Sequence, residues 1–253
     1  MFKEEFKDET TRLIALLDAA DRLRGASEMR LRSYELLGAA PGRSMVDVGC
    51  GAGRAVAEMA GQGARAVGVD IQDQMIAAAR ERWPQAEFEV AGAYELPLAD
   101  RTLDGYRADK VFHELDDPAR ALAEAQRVLT PGGRIVLTGQ DWDAFVIDAD
   151  DAGLTRTIVH ARADLLPSPR AARHYRNLLL DCGFEDVGVE AAMAVVTDPA
   201  VLPMLVGLAE GARSAGAVSG PDAEAWVAEQ RERARAGRLF LAVPLFVASA
   251  TKP

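Results

Sequence analysis

The chain has 253 residues, with 39 acidic side chains against 29 Lys and Arg, and a formal net charge of −10. That balance argues against nucleic acid or an acidic membrane as partner, because phosphate-rich surfaces demand cations. With 49 % hydrophobic residues and only Cys50 and Cys182 as cysteines, the sequence reads as a globular protein of the reducing cytoplasm.

The longest uncharged apolar stretch, 239–250, is too short to cross a bilayer and contains Pro244. The charged start MFKEEFKDETTR lacks the apolar segment of a signal peptide. Three histidines and no Cys/His cluster leave little material for a metal site, so none is expected. A small-molecule partner is expected, and a homodimer stays open.

Apolar residues at helical spacing, among them Phe6, Leu13, Leu17 and Leu23, predict an amphipathic helix over 2–24. Gly25 is expected to end it, and Ser27 to cap a second helix reaching Leu37. The run Gly38-Ala39-Ala40-Pro41-Gly42 then breaks the chain. Beyond it, strands over 45–48, 66–69 and 88–90 alternate with helices over 55–60 and 74–82. A weaker strand follows over 103–106, then a helix over 118–129 with Ala119, Leu122, Ala125, Val128 and Leu129 facing inward. A strand over 134–138 comes after Pro131-Gly132-Gly133. Such alternation implies a parallel sheet covered on both faces.

The second half is less regular. Residues 142–166 read as a loop and helix, 171–181 as a helix stopped at Gly183, and 187–196 as a strand. Two helical patterns occupy 199–236, separated at 216–221, before a closing strand over 239–250. An insert of this size sits naturally over the end of the sheet. Arg231, Arg233, Arg235 and Arg238, interleaved with Glu229 and Glu232, read as a solvated helix face.

The informative stretch is Val46-Asp47-Val48-Gly49-Cys50-Gly51-Ala52-Gly53, a strand running into a tight glycine turn and a helix. Glycines permit positive φ and let a ligand lie against the main chain. The spacing is G-x-G-x-G, so the third glycine of the dinucleotide fingerprint G-x-G-x-x-G is missing. Asp47, just ahead of the loop, would repel a pyrophosphate and suits a cationic ligand or an ammonium group. Asp70 ends the next strand, where an acid can accept hydrogen bonds from ribose hydroxyls.

These stretches resemble the class I S-adenosylmethionine-dependent methyltransferases, and among them the quinone-biosynthesis and small-molecule enzymes. The resemblance rests on VDVGCGAGRAV at 46–56, GVDIQDQMIAAAR at 68–80 and AYELPLADRTLDG at 93–105. It continues through DKVFHELDDPARALAEAQRVLTPGGRIVLTGQDWD at 109–143, and RNLLLDCGFEDVGVE near the end also fits. It implies an α/β, Rossmann-like, seven-stranded, mostly parallel sheet with helices on both faces. Residues 1–40 would form a helical cap and 41–253 the methyltransferase domain, with 199–236 as a helical lid before the last strand.

The resemblance also implies a cofactor site for S-adenosylmethionine. Asp47 and the backbone of Gly49, Cys50, Gly51 and Gly53 would hold the methionine half, the acid near its ammonium. Asp70 would bind the ribose. Ile71 and Met75 would pack on the adenine, with plain core packing as the alternative. Ala93 would face the adenine edge through its backbone. An Asp often precedes that alanine in the family; here it is Gly92, leaving Tyr94 to stack or compensate. Cys50 reads as a small residue filling the loop.

Methyl transfer from a sulfonium is an in-line displacement, so the protein mainly positions the nucleophile and excludes water. A hydroxyl, phenol or acidic carbon as acceptor is helped by a base. His113, after the fourth strand, is the first candidate and Glu114 its rival. Arg107 could reach the cofactor carboxylate or a substrate anion. Trp142, between Asp141 and Asp143, could wall an aromatic substrate. His160 and the pair His174-Tyr175 are further candidates. Apolar residues of the insert, such as Leu205, Leu208, Trp226 and Val227, either line a pocket or pack on the sheet.

The reading is methyl transfer to a small apolar or aromatic acceptor, such as a quinone precursor or specialised metabolite. Three alternatives stand beside it: methylation of a peptide or protein, a repurposed fold that catalyses a cyclisation or rearrangement, and a cofactor-binding protein without transfer. A nicotinamide dehydrogenase fits the glycine pattern less well.

Overall fold

A computed structural model of the chain describes Ile14 and residues 24–253. Apart from Ile14 and Arg24, the helix expected over 2–24 lies outside the described residues. The first element, α1 (Arg24–Leu37), runs straight through Gly25 and Ser27, so neither the break nor the cap expected there forms. A glycine costs a helix only about 1 kcal/mol, and burying Tyr34 and Leu37 against Met45 and Val136 outweighs it.

After Gly38 and Gly42, both at positive φ, the strands and helices alternate as expected. They are β1 (Ser44–Val48), α2 (Arg54–Gly61), β2 (Arg65–Asp70), α3 (Asp73–Arg82) and β3 (Glu87–Val90). Then come β4 (Leu103–Asp109), α4 (Pro118–Val128) and β5 (Leu129–Gln140). The second half holds β6 (Val146–Ile147), α5 (Ala152–Ala163), α6 (Ala171–Asp181) and β7 (Glu185–Val196). It closes with α7 (Leu202–Ser214), α8 (Gly220–Arg235) and β8 (Leu241–Thr251).

All eight strands join one sheet, in the order β3-β2-β1-β4-β5-β8, with β7 on the outer side of β8. The first five of these are mutually parallel. β8 runs antiparallel to both β5 and β7. The strand beyond the expected seven is the two-residue β6, paired to the start of β8.

Helices α1 and α2 cover one face, where Tyr34, Leu37, Ala55 and Met59 meet Met45, Val136 and Val247. α4 and α6 cover the other, burying Leu122, Ala125, Tyr175 and Leu179 against Val46, Tyr106 and Ile135. α4 starts on an Asp117 side chain that accepts the Arg120 amide at 3.0 Å. Its inner face carries Ala121 where Ala119 was expected; Ala119, two residues earlier in the first turn, is exposed. The insert and α5 form a second core of their own, in which Leu205, Leu208 and Trp226 pack with Ile158, Leu241 and Val243. Trp226 Nε1 donates to Thr155 Oγ1 at 3.0 Å inside it. These insert side chains are core. No described helix is long and apolar enough to cross a membrane. Because β1 to β5 are parallel, their carboxyl ends share one edge, where open α/β sheets bind ligands.

Candidate active site

Three glycines shape the turn after β1. Gly49 and Gly53 adopt φ of 70° and 82°. A Cβ on Gly49 would stand 2.2 Å from Val111 Cγ2, and one on Gly53 2.6 Å from Phe88 Cζ, so packing beneath the loop excludes side chains at both. Gly51, at φ 52°, differs: a Cβ there would meet nothing within 4 Å. The loop is therefore packed from below and open above Gly51. Trp83 Nε1 pins it by donating to the Ala52 carbonyl at 3.0 Å. Cys50 is buried, and burial with the nearby Asp47 and Asp70 charges pushes its thiol up, so it fills space and is no nucleophile.

Asp70 ends β2 beside this opening. Its two oxygens accept the Gly51 and Gln72 amides, each at 2.9 Å. Each carboxylate oxygen has a second acceptor site, so the pair still has capacity for hydroxyl groups. Ile71 next to it is 74 % exposed, an uncovered apolar side chain at the rim. Met75, in the first turn of α3, is buried, the core packing that stood as the alternative for it. Gly92 faces Ile71: a Cβ on it would lie 3.6 Å from Ile71 Cδ1. Ala93 is buried behind it. Tyr94 turns away from this slot, its hydroxyl accepting the Asp117 amide at 3.0 Å and its ring carrying Arg120 at 4.9 Å.

Asp47 is 2 % exposed, and Arg107 beside it on β4 is equally buried. Arg107 Nη1 donates to Asp47 Oδ1 at 2.6 Å, Nη2 to Asp109 Oδ2 at 2.9 Å and Nε to Ser33 Oγ at 2.8 Å. Arg107, expected to reach a cofactor carboxylate or a substrate anion, here gives these donors to three side chains of the protein. A guanidinium inside the sheet must satisfy its donors within the protein. Burial pushes the Asp47 carboxyl above its ordinary value, with Arg107 opposing. Burial would raise Asp109 as well, but Lys110 and Arg107 together bring it down to about 2.

Past β4, His113 lies in a single 3-10 turn, Phe112–Glu114, and is 6 % exposed. Its Nε2 lies 3.2 Å from Glu114 Oε1. Its Nδ1 is buried with no hydrogen-bond partner among the described residues, and so is Trp142 Nε1. The two rings stand 5.5 Å apart, and Phe145 flanks Trp142 on another side at 5.3 Å. Burial lowers the His113 pKa below 6.5; Glu114 opposes that shift and Arg162 adds to it.

The remaining candidates are structural. Asp141 is buried and takes both Arg173 Nε and Nη2, while Arg170 Nε binds Asp143 at 2.9 Å, clamping this loop to α6. His160 and His174 are exposed. Tyr175 is core: it stacks edge-on to Phe112 at 5.8 Å, and its hydroxyl donates to the Thr138 carbonyl at 3.3 Å. Sequence reasoning passed over Lys110, which holds φ 58° at the end of β4, a strained geometry for a side-chain-bearing residue. With Asp109, Thr138, Gly139 and Leu245 it lines a small cleft walled by Ala26 and Met29 of α1.

The family model described as methyltransferase domain matches residues 46–137, from β1 to β5. The chain is 34 % identical to an uncharacterized 37.1 kDa protein in transposon TN4556 of Streptomyces fradiae, over 98 % of this chain and 72 % of that one. It is 32 % identical to the O-methyltransferase cnsE of Penicillium expansum over 60 % of this chain, a match spanning 56 % of that protein. Geranyl diphosphate C-methyltransferase from Streptomyces coelicolor, solved with S-adenosyl-L-homocysteine, shares the fold at TM-score 0.57 and 18 % identity. That likeness covers 90 % of this chain and 76 % of the other. The chain belongs to the class I S-adenosylmethionine-dependent methyltransferases.

The methyltransferase's own residues fit the family's cofactor, S-adenosylmethionine. The open space over Gly51 is a cradle that any side chain would fill. Asp70 lies beside it with acceptor capacity, the exposed Ile71 offers an apolar surface, and Asp47 is the acid nearest the loop's start.

Proposed function

We propose that this methyltransferase transfers the methyl group of S-adenosylmethionine to a hydroxyl of a small aromatic acceptor, a phenol or quinol. When bound, S-adenosylmethionine supplies a methyl group on a sulfonium. Asp47 and the loop from Gly49 to Gly53 would hold its amino-acid half, Asp70 its ribose, and Ile71 with the backbone of Gly92 and Ala93 its base.

The observation that carries the acceptor class is the pairing of His113 with Trp142. A buried imidazole and a half-buried indole, each with a buried nitrogen that has no partner among the described residues, lie together beyond the ends of β4 and β5. Buried polar atoms call for partners. A flat ring bearing a hydroxyl would satisfy one or both and stack on the indole. Glu114 then has a role other than base. As a carboxylate it accepts from Nε2, which fixes the proton there and leaves Nδ1 with a bare lone pair. His113 takes the hydroxyl proton at Nδ1, and Glu114 orients it. Trp142 and Phe145 keep water from the nucleophile. The printed name of the Penicillium relative, an O-methyltransferase, supports this reading.

The test is a panel of phenols, quinols, aliphatic alcohols and a peptide, incubated with methyl-labelled cofactor and read by mass spectrometry. Label on a ring hydroxyl is expected. Label only on peptide, or an altered acceptor without label, would replace this reading with protein methylation or a repurposed fold.

A further inference from the structure

The parallel register sets Asp47 directly beside Arg107, two residues 60 apart in sequence. Asp47 was chosen by sequence for a cationic ligand, yet it already faces a buried guanidinium. One guanidinium serves two carboxylates, Asp47 and Asp109, and Lys110 also draws on Asp109.

Arg107 is itself held by α1. Ser33, fully buried, accepts from Arg107 Nε at 2.8 Å and donates to the Arg30 carbonyl at 2.6 Å. The next residue, Tyr34, lays its ring 5.5 Å from the guanidinium carbon. Its hydroxyl donates to Glu58 Oε2 at 2.9 Å, and Arg30 Nε donates to the same oxygen at 2.8 Å. Glu58 lies on α2, the helix that follows the glycine loop. The chain of contacts therefore runs from α2 through α1 to Arg107 and ends on Asp47. The same α1 walls the cleft at the sheet edge through Ala26 and Met29.

We propose that Arg107 is a positioning residue through which Ser33 and Tyr34 of α1 set the grip of Asp47 on the cofactor's ammonium. The proposal rests on the reading that Asp47 receives that ammonium. Arg107 fixes the carboxylate's direction and keeps it ionised inside the sheet. The groups facing Asp47 are Arg107 and Asp109 on β4, Asp70 on β2, Tyr34 on α1 and Cys50 in the loop. Among them only Arg107 favours the charged form; burial and the two acids oppose it. Without Arg107, Asp47 would take up a proton more readily and lose its attraction for a cation. Ser33→Ala leaves the charge in place but frees one edge of the guanidinium, so its effect is smaller.

The experiment is calorimetric titration of the full chain with S-adenosylhomocysteine at about pH 8 and about pH 6, the lower pH favouring protonation of a carboxylate that has lost its partner. Thermal melts of each variant accompany it. The wild type is expected to bind with similar Kd at both values. Arg107→Gln should bind about 10-fold more weakly at the higher pH, the loss expected for one charge-assisted hydrogen bond, and more weakly again at the lower. Arg107→Lys should restore the flat pH response, and Ser33→Ala should weaken binding several-fold with a near-native melt. A folded Arg107→Gln that matches the wild type at both values overturns the proposal. If Arg107→Gln does not fold, Ser33→Ala decides, and an unchanged Kd overturns it. A folded wild type that binds no S-adenosylhomocysteine overturns the cofactor reading and this proposal with it. Binding by the wild type with indifferent variants overturns this proposal alone.

Discussion

The imidazole of His113 and the indole of Trp142 stand 5.5 Å apart at an interplanar angle of 53°, in contact and tilted rather than stacked. This geometry leaves His113 Nδ1 and Trp142 Nε1 as neighbouring buried groups that a ligand can satisfy together. His113→Asn should therefore lower kcat about 100-fold or more, the usual loss when a positioned base is removed. Its Kd for S-adenosylhomocysteine should stay within about 2-fold, because His113 lies outside the glycine loop. Steady-state rates and calorimetry on one preparation check both halves.

The pH response of that base has a definite sign. Burial lowers the His113 pKa below 6.5, so the ring is neutral and able to accept a proton at neutral pH. The acid limb of kcat/KM should lie below pH 6.5. Glu114 favours the charged ring, so Glu114→Gln should move that limb to still lower pH and reduce the rate by freeing the tautomer. Stability follows the same linkage. The folded state binds fewer protons than the unfolded one between the two pKa values. The His113 contribution is thus complete above about 6.5 and declines as pH falls toward the folded value. Rate profiles of the two proteins across the acid range measure the shift.

Gly49 and Gly51 share a positive φ but should fail differently when mutated. Gly49→Ala drives a Cβ to 2.2 Å from Val111 Cγ2, so it should destabilise the fold by about 2–4 kcal/mol. Gly51→Ala meets open space and carries only backbone strain, about 1–2 kcal/mol. It should bind S-adenosylhomocysteine at least about 10-fold more weakly, since its methyl enters the cradle. Melting curves should rank Gly49→Ala as the less stable, and calorimetry should show the binding loss in the folded Gly51→Ala.

The second core gives a stability prediction separate from the site. Trp226 is fully enclosed and its indole donates to Thr155. Trp226→Ala should destabilise by about 3–5 kcal/mol through the cavity and the lost hydrogen bond to Thr155, whose hydroxyl keeps its bond to the Asp151 carbonyl. Below its lowered Tm the variant should still bind S-adenosylhomocysteine, because this cluster contains none of the glycine-loop residues.

Local pattern carried the central fold well. The strand, glycine loop and helix from Ser44 to Gly61 follow from apolar runs and from glycines whose φ the turn requires. So does α6, whose bounds are those read from the sequence. What escaped was long-range. Nothing local marks Arg107 as the partner of Asp47, because a parallel register joins residues 60 apart. Tyr175 next to His174 suggested chemistry, yet Ala171, Tyr175 and Leu179 share one helical face, and that spacing marks core. The insert's apolar faces were legible as apolar, but their mutual packing depends on α5, from which α6 and β7 separate them along the chain. Sequence alone offers Glu114 only as a rival base to His113; the 3.2 Å between Glu114 Oε1 and His113 Nε2 is what suggests an orienting role.

The strand β8 has a consequence for how the chain is made. Its first residues, Leu241 and Val243, belong to the insert's core, and its later ones, Ala248 and Ala250, to the core beneath α4 and α6. It pairs with β5, β6 and β7, all of which are synthesised before it. On the ribosome, β5 and β7 wait with open edges until this segment emerges, a hazard for strands of twelve residues each. Synthesis that stalls before residue 241 would leave the glycine loop encoded in full and the sheet beyond β5 unfinished, a species for chaperones to hold rather than a smaller enzyme.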